Sequence, residues 1–378
     1  MESLRSMLFI GLLVVTYMLY QQWTLENAPV QAQTPVSQAS DISSPTTNNN
    51  DDFVPESSQT SSVAPKTITA TQKLISVKTD VLDVKINSQG GDVVQVTLLD
   101  FETEQGSGVP FTIMQNGQMK YVAQSGLTGA NGIDRTVPGR PIYTANAQSF
   151  EMTENQPLAV VLTYQADNGL TVTKTYSFEP ASYQVKVSYQ IQNNSSNAAS
   201  VQMYGQLKQS SYVDQSSGLI PTYRGAAYST SEERYEKYDF EDIADANLNK
   251  TTQGGWVAML QHYFVSAWVP EQTAANQLYT SYSQSGDAVI GFKAPTVNIE
   301  PNSTGTTSAT FYVGPKDQEA LEQIADGLDL TVDFGFLFMI SQPLHWLLML
   351  IQSFVTNWGV AIIIITLIVK GGMYPLTK

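Results

Sequence analysis

A β-sandwich held between two membrane-spanning segments, mainly β overall, is the fold class that the sequence predicts. Three observations lead there. Each end of the chain carries an apolar run without charge. The region between them reads as short strands of alternating polarity, separated by Gly, Asn and Pro turns. The charge is also uneven: 33 acidic residues face 16 basic ones from Leu25 to Asp333, whereas the ends carry Arg5, Lys370 and Lys378 against Glu2 alone.

At the N-terminus, Met7 to Tyr20 is apolar except for Thr16, and Trp23 follows as an interfacial aromatic would. Arg5 precedes the run, and the basic flank of a span stays cytoplasmic. The competing reading is a cleaved signal peptide with Val30-Gln31-Ala32 as its small-residue site, although that site lies far beyond the apolar run.

The C-terminal run is longer. No Asp, Glu, Lys or Arg occurs in the 36 residues from Phe334 to Val369, where a spanning helix needs only ~20. Pro343 and the triplet Asn357-Trp358-Gly359 punctuate it. Phe336 to Ser353 therefore reads as a helix in or near the outer interface, broken or kinked at Pro343. The span starts near Trp358, with Lys370 and Lys378 marking its cytoplasmic side. The predicted organisation is a transmembrane anchor over 1–24, a linker over 25–70, a β-sandwich domain over 71–327, a connection and interfacial helix over 328–353, and a second transmembrane helix over 354–378. Both termini are then cytoplasmic, with the acidic domain across the membrane from them.

The linker is dominated by Gln, Ser, Thr, Asn, Pro and Ala. It has too little apolar surface to offset its ordering entropy, so no fixed structure is expected there. Strands begin at about Lys73. Leu82, Val84 and Ile86 alternate with Asp83 and Lys85, Asn87 to Gly91 turns the chain, and Val94, Val96 and Leu98 run back. Tyr164 to Phe178 is a second hairpin, turned by Asn168-Gly169. Further strands are expected at Val185 to Ile191, Val201 to Leu207, Trp256 to Val269, Leu278 to Tyr282, Ala288 to Lys293 and Thr306 to Val313. A helix is expected at Lys316 to Gly327, where Ala320, Leu321 and Ile324 share a face.

Composition narrows the chemistry. A net charge of −15 argues against nucleic acid as a partner. With no cysteine there is no thiol catalysis, thiolate metal site or disulfide framework. Two histidines, His262 and His345, do not make a multi-histidine metal site. No glycine-rich nucleotide loop or nucleophile elbow appears, and no cofactor is implied. His262 falls in the predicted strand beginning at Trp256. As a general base it would need a carboxylate or nucleophile that nothing in the sequence specifies, so a surface or structural role is favoured. The acidic and aromatic stretch Glu232 to Asp242 reads as a solvated loop or short helix before a cation or partner site. Gly254-Gly255 reads as a turn before a strand.

Lys370 carries two readings. In one it is a membrane-end anchor that snorkels to the interface. In the other, Trp358 marks the outer interface. Lys370, twelve residues on, is then ~18 Å along the helix, short of the far side of a ~30 Å hydrocarbon core. It would have to face protein or a water-filled cavity.

Several stretches together resemble the YidC membrane insertases of Gram-negative bacteria. They are KLISVKTDVLDVKIN (Lys73 to Asn87), QSGLTG (Gln124 to Gly129), RGAAYST (Arg224 to Thr230), YEKYDF (Tyr235 to Phe240), GGWVAMLQHYF (Gly254 to Phe264), LDLTVDFG (Leu328 to Gly335) and NWGVAIIIITLIVKGGMYPLTK (Asn357 to Lys378). The resemblance implies an inner-membrane protein whose periplasmic β-supersandwich is similar to mutarotase-like folds, with an amphipathic helix before the second span. It implies insertion and folding of nascent membrane proteins in the lipid bilayer, alone or beside Sec translocon subunits, and no catalysis. It further implies that one basic residue of the second span lines a hydrophilic groove and attracts acidic parts of the incoming chain; that position falls on Lys370. The family's core has five spans, whereas this chain stops at Lys378. It is therefore expected to be a fragment that does not insert substrates alone. Two other classes stay open: a membrane-anchored carbohydrate-binding or mutarotase-like protein, which would rely on His262, and a periplasmic docking module.

Overall fold

The structure, a computed structural model, describes residues 54–55, 73–117, 119–136, 139–211, 223–283, 285–332, 338–355 and 357–377. The predicted N-terminal anchor lies outside the described residues.

In chain order the strands are β1 (Leu74–Lys78), β2 (Leu82–Asn87), β3 (Asp92–Glu102), β4 (Pro110–Gln115), β5 (Tyr121–Thr128), β6 (Thr144–Ala145) and β7 (Ser149–Glu151). They continue as β8 (Leu158–Gln165), β9 (Leu170–Phe178), β10 (Gln184–Asn193), β11 (Ala199–Ser210), β12 (Gly225–Ser229) and β13 (Glu236–Tyr238). The last are β14 (Asn249–Gln253), β15 (Trp256–Leu260), β16 (Phe264–Pro270), β17 (Ala275–Tyr282), β18 (Asp287–Ile299) and β19 (Thr304–Pro315). Short helices α1 (Ile133–Thr136), α2 (Phe240–Asp245) and α3 (Gln318–Ile324) interrupt or follow them; a 3-10 turn at Leu328–Thr331 and two longer helices, α4 (Phe338–Val355) and α5 (Trp358–Thr377), come last among the described residues.

Among the described residues the strands form two sheets. The first has ten strands in the order β14-β17-β18-β11-β5-β4-β3-β2-β1-β7, and the second has nine in the order β13-β12-β15-β16-β19-β10-β9-β8-β6. Pairing is antiparallel apart from β1 with β7. The sandwich expected from the strand pattern is thus what the structure has. Alternation explains the layering: in β9 every second residue from Leu170 to Phe178 is buried, and in β10 every second residue from Val185 to Asn193. β15 and β16 are buried along their whole length. Their outer face packs on Leu321, Ala325 and Leu328 from α3 and the turn after it, so both faces are covered and the strands read as continuous apolar runs.

The turns follow local chemistry. Asn168-Gly169 reverses the chain between β8 and β9, with Gly169 at φ 84 and the Asn168 side chain accepting from the Leu170 N–H at 3.2 Å. Gly254 and Gly255 precede β15, both with positive φ.

Several boundaries differ from expectation. The strand expected over Trp256 to Val269 is two strands, β15 and β16, joined by a turn at residues 261–263. The helix expected over Lys316 to Gly327 is the shorter α3, because Asp317 caps its start, accepting from the N–H groups of Glu319 and Ala320. α4 continues through Pro343 and on to Val355, beyond the 353 boundary. Within the expected linker, Pro55 is buried and its carbonyl accepts from Thr128 Oγ1 at 3.1 Å; a proline has no N–H that burial would orphan.

A buried ionic cluster ties the two sheets together. Lys174, on β9 of the second sheet, donates to the carbonyls of Gly90 and Gly91, in the turn between β2 and β3, and of Ser125 on β5 of the first sheet, at 3.0, 2.8 and 3.1 Å. The Tyr176 hydroxyl also donates to the Gly91 carbonyl. Arg140 donates from Nε to Asp134 at 2.8 Å, pairs with Asp92, and donates to the Ser125 carbonyl at 3.1 Å. Gln124 donates to Asp92 at 2.9 Å, Gln206 to Gln124 at 2.9 Å, and Tyr279 to Gln206 at 2.7 Å. Gly90 is required where it stands: a Cβ there would lie 2.5 Å from the Arg140 guanidinium carbon.

Asp134→Ala is expected to destabilise the sandwich by about 3–5 kcal/mol, because Arg140 would keep a single carboxylate and the Leu127 N–H would lose its acceptor. Urea unfolding followed through the buried Trp256 and Trp268 measures this; a cost below about 1 kcal/mol would show that the cluster does not hold the fold.

Candidate functional site

The expected site residue, Lys370, lies on α5. That helix starts at Asn357, whose side chain accepts from the N–H groups of Gly359 and Val360 at 2.9 and 3.3 Å and so caps the first turn. α4 and α5 pack on one another. Both leave large apolar side chains bare: Ile340, Trp346, Leu350 and Phe354 on α4, and Trp358, Ile362, Ile363, Leu367 and Ile368 on α5. Phe354 is 82% exposed and Leu367 66%. Hydroxyls on these helices are satisfied internally, Ser353 donating to the Leu350 carbonyl and Thr366 to that of Ile362.

Among the described residues, no helix is long and apolar enough to cross a membrane. In α5 the charge-free stretch runs from Trp358 to Val369, or ~18 Å. Lys370 is exposed at its end. No acidic residue follows Asp333, so neither helix offers Lys370 a carboxylate.

The other sequence candidates resolve structurally. His262 is exposed in the turn between β15 and β16, not in a strand; with Tyr121 and Arg224 it lines a cleft whose described lining holds no Asp or Glu. His345 is exposed on α4. In the Glu232 to Asp242 stretch, Glu233 pairs with Lys250, Arg234 pairs with Asp326 at 2.8 Å, and Asp239 forms a capping box with Asp242 at the start of α2. These four charges of the stretch are engaged in holding the loop. No group of three or more metal-ligating side chains occurs among the described residues.

Sequence reasoning missed Asp92, Asp134, Arg140 and Lys174. For Lys174 a signal existed: it occupies the inward phase of Leu170, Val172, Tyr176 and Phe178. Burial lowers its amine from the ordinary lysine range to about 7; Asp92 and Asp134 act to raise it and Arg140 to lower it further. Displaced values of this kind often mark active sites. This amine, however, is fully enclosed, with three carbonyl acceptors and the rings of Tyr143, Tyr176 and Tyr189 around it. It cannot meet a substrate, and its role is to join the sheets.

The described chain is thus a large β-sandwich followed by two helices that leave apolar faces and Lys370 exposed. The family model of the YidC periplasmic domain matches residues 74–347. A membrane protein insertase YidC from Shewanella sp. (strain ANA-3) is 50% identical over 380 residues, covering 100% of this chain and 69% of the relative. That of Shewanella loihica is 48% identical with the same coverage. The chain belongs to the YidC family. Among solved structures, a galactose mutarotase-like protein from Lactobacillus casei is similar at TM-score 0.42 and 8% identity, covering 64% of this chain and 99% of its own. An α-galactosidase from Geobacillus stearothermophilus is similar at TM-score 0.43 and 8% identity, covering 67% and 42%. At these scores the similarities say nothing about ligand or activity here.

The Lys174 amine has a definite pH signature. Its folded pKa is about 7, and the unfolded value is ~10.4. Between these values the unfolded chain holds more protons, so this group's contribution to stability rises with pH across that window, by at most ~1.4 kcal/mol per unit. Urea midpoints at pH 7 and 9 should separate more in the native protein than in Lys174→Met; equal separations would place the titration elsewhere.

Proposed function

We propose that this chain acts in the insertion and folding of membrane proteins, the activity its relatives are named for. The observation that carries the reading is the alignment at about 50% identity along the whole chain, helical segment included. The role is non-catalytic. Its partners are nascent membrane proteins, the lipid bilayer and subunits of the Sec translocon.

In this reading the chain is an inner-membrane protein. The acidic sandwich is periplasmic, α4 lies at the periplasmic face with its apolar side in the headgroup region, and α5 enters the bilayer. Support comes from the excess of basic over acidic residues at the two chain ends, Arg5, Lys370 and Lys378 against Glu2, where Leu25 to Asp333 is strongly acidic, and from the bare apolar faces of α4 and α5. Lys370 then faces a hydrophilic groove and attracts acidic segments of the client. The supporting physics is that an unpaired ammonium in lipid costs several kcal/mol, so it must meet water, protein or an opposite charge.

The test is contact with a client. A photo-crosslinker at Thr366, one turn before Lys370 and on the same face, should trap a nascent single-span client with an acidic tail. Lys370→Glu should lower the yield by about tenfold, the effect of a ~1.4 kcal/mol change, and Lys370→Arg should keep it. Equal yields from the native and Lys370→Glu chains would refute a client-facing lysine. Topology is checked separately, since the chain has no cysteine. A single cysteine at the exposed Ser107 should react with a membrane-impermeant maleimide added to spheroplasts. Reaction only after lysis would overturn a periplasmic sandwich.

A further inference from the structure

One cleft of the sandwich has a chemistry unlike the rest of the surface. It holds about 290 Å³ and lies where β4, the start of β5 and the end of β11 meet the turn between β15 and β16. Its described lining combines Arg224, His262 and three glutamine side chains with Tyr121, and includes no acidic residue. This is unexpected for a region in which acids outnumber bases 33 to 16.

The guanidinium is positioned, not merely present. Arg224 is half-buried just before β12. With its amide oxygen turned toward the guanidinium, Gln209 accepts from Arg224 Nε and Nη2 at 3.3 and 3.1 Å. Gln209 is itself fully buried, so the strand that carries it fixes the fork. Beside it Tyr121 is only 3% exposed, and its hydroxyl is enclosed. It lies near Ser266 and Arg224 but makes no well-formed hydrogen bond. Buried hydroxyls are almost always satisfied, and one left over beside a cation in a cleft is what an oxyanion would complete.

We propose that this cleft binds a small organic oxyanion, a carboxylate above all. Arg224 supplies the charge and a planar fork that matches a carboxylate edge, and Tyr121 supplies a hydroxyl donor. The rim glutamines and His262 contact the ligand's remaining polar groups. A hydroxy-dicarboxylate is the simplest ligand that pairs a carboxylate edge with further polar groups for the rim. The apolar side chains of Phe111, Ile113 and Met119 complete the wall. The absence of an acid among the described lining residues distinguishes the site from a sugar-epimerising cleft, which needs a carboxylate beside its histidine.

Calorimetric titration of the full chain in detergent tests this with L-malate, inorganic phosphate and the uncharged erythritol. Saturable one-to-one binding of malate is expected, with erythritol silent. Arg224→Met should weaken it by about 30-fold and Tyr121→Phe by about fivefold, the range that single charge-assisted and neutral hydrogen bonds span. Gln115→Glu, at an exposed position on the rim, adds a carboxylate without disturbing the core and should weaken malate by about tenfold through like-charge repulsion. Phosphate binding with the same dependence on Arg224 and Gln115 would support an oxyanion site of tetrahedral preference. Silence of both anions, or malate binding that Gln115→Glu and Arg224→Met leave unchanged, would overturn the proposal.

Discussion

The sandwich depends on four ionisable groups that never meet water. Asp92, Asp134, Arg140 and Lys174 are each at least nine-tenths buried. Desolvating them is costly, and replacing such a group by apolar side chains is often neutral or better. What the cluster supplies is placement. Lys174 on one sheet reaches three carbonyls of the other and of its β2–β3 turn, and those carbonyls occur at one register only. A slip of one residue along β9 would turn Lys174 outward and leave Asp92 and Arg140 misfit. Two sheets as large as these have many near-equivalent ways to stack their apolar faces. The ionic cluster selects among them.

The stretch Gln124 to Gly129 shows how closely the local sequence is bound to this cluster. Gln124 donates to Asp92, the Ser125 carbonyl accepts from both Arg140 and Lys174, and the Leu127 N–H donates to Asp134. Gly126 leaves room, since a Cβ there would lie 2.4 Å from the Asp134 carboxylate. Thr128 then holds the Pro55 carbonyl. Five consecutive residues, Gln124 to Thr128, thus form the floor of the cluster and the seat of an otherwise remote proline.

Much of the sandwich was legible because alternation and turn chemistry act locally. Asn168-Gly169 set one hairpin, Asn87 to Gly91 another, and the alternating Val185 to Ile191 a central strand. The second apolar layer was not legible. Trp256 to Val269 reads as one strand because both its faces are buried, and only the packing of α3 across it reveals the break at His262. The ionic cluster was hidden for a different reason: its members lie up to 82 residues apart, at Asp92 and Lys174, and no local rule joins them. Lys174 alone betrayed itself, as a charge in the apolar phase of its strand. In the helical segment the sequence marked Trp358 and Lys370 correctly on one helix, while Pro343 did not interrupt α4. A proline near the first turns removes few helical hydrogen bonds.

The end of α5 carries costs that the described chain does not offset. Lys370 interrupts an apolar helix ~18 Å from its start, where an uncompensated charge in lipid costs ~3 kcal/mol even on the mildest scale. Gly371 and Gly372 follow directly, each about 1 kcal/mol worse than alanine inside a helix. Neither glycine is needed for close packing, because a Cβ on either would meet nothing within 4 Å. A charge without a carboxylate and two glycines without a neighbour leave a patch of accessible backbone beside a cation. The same three residues would be hard to accommodate against hydrocarbon, and Ile363 and Leu367, seven and three positions before Lys370, share its side of the helix.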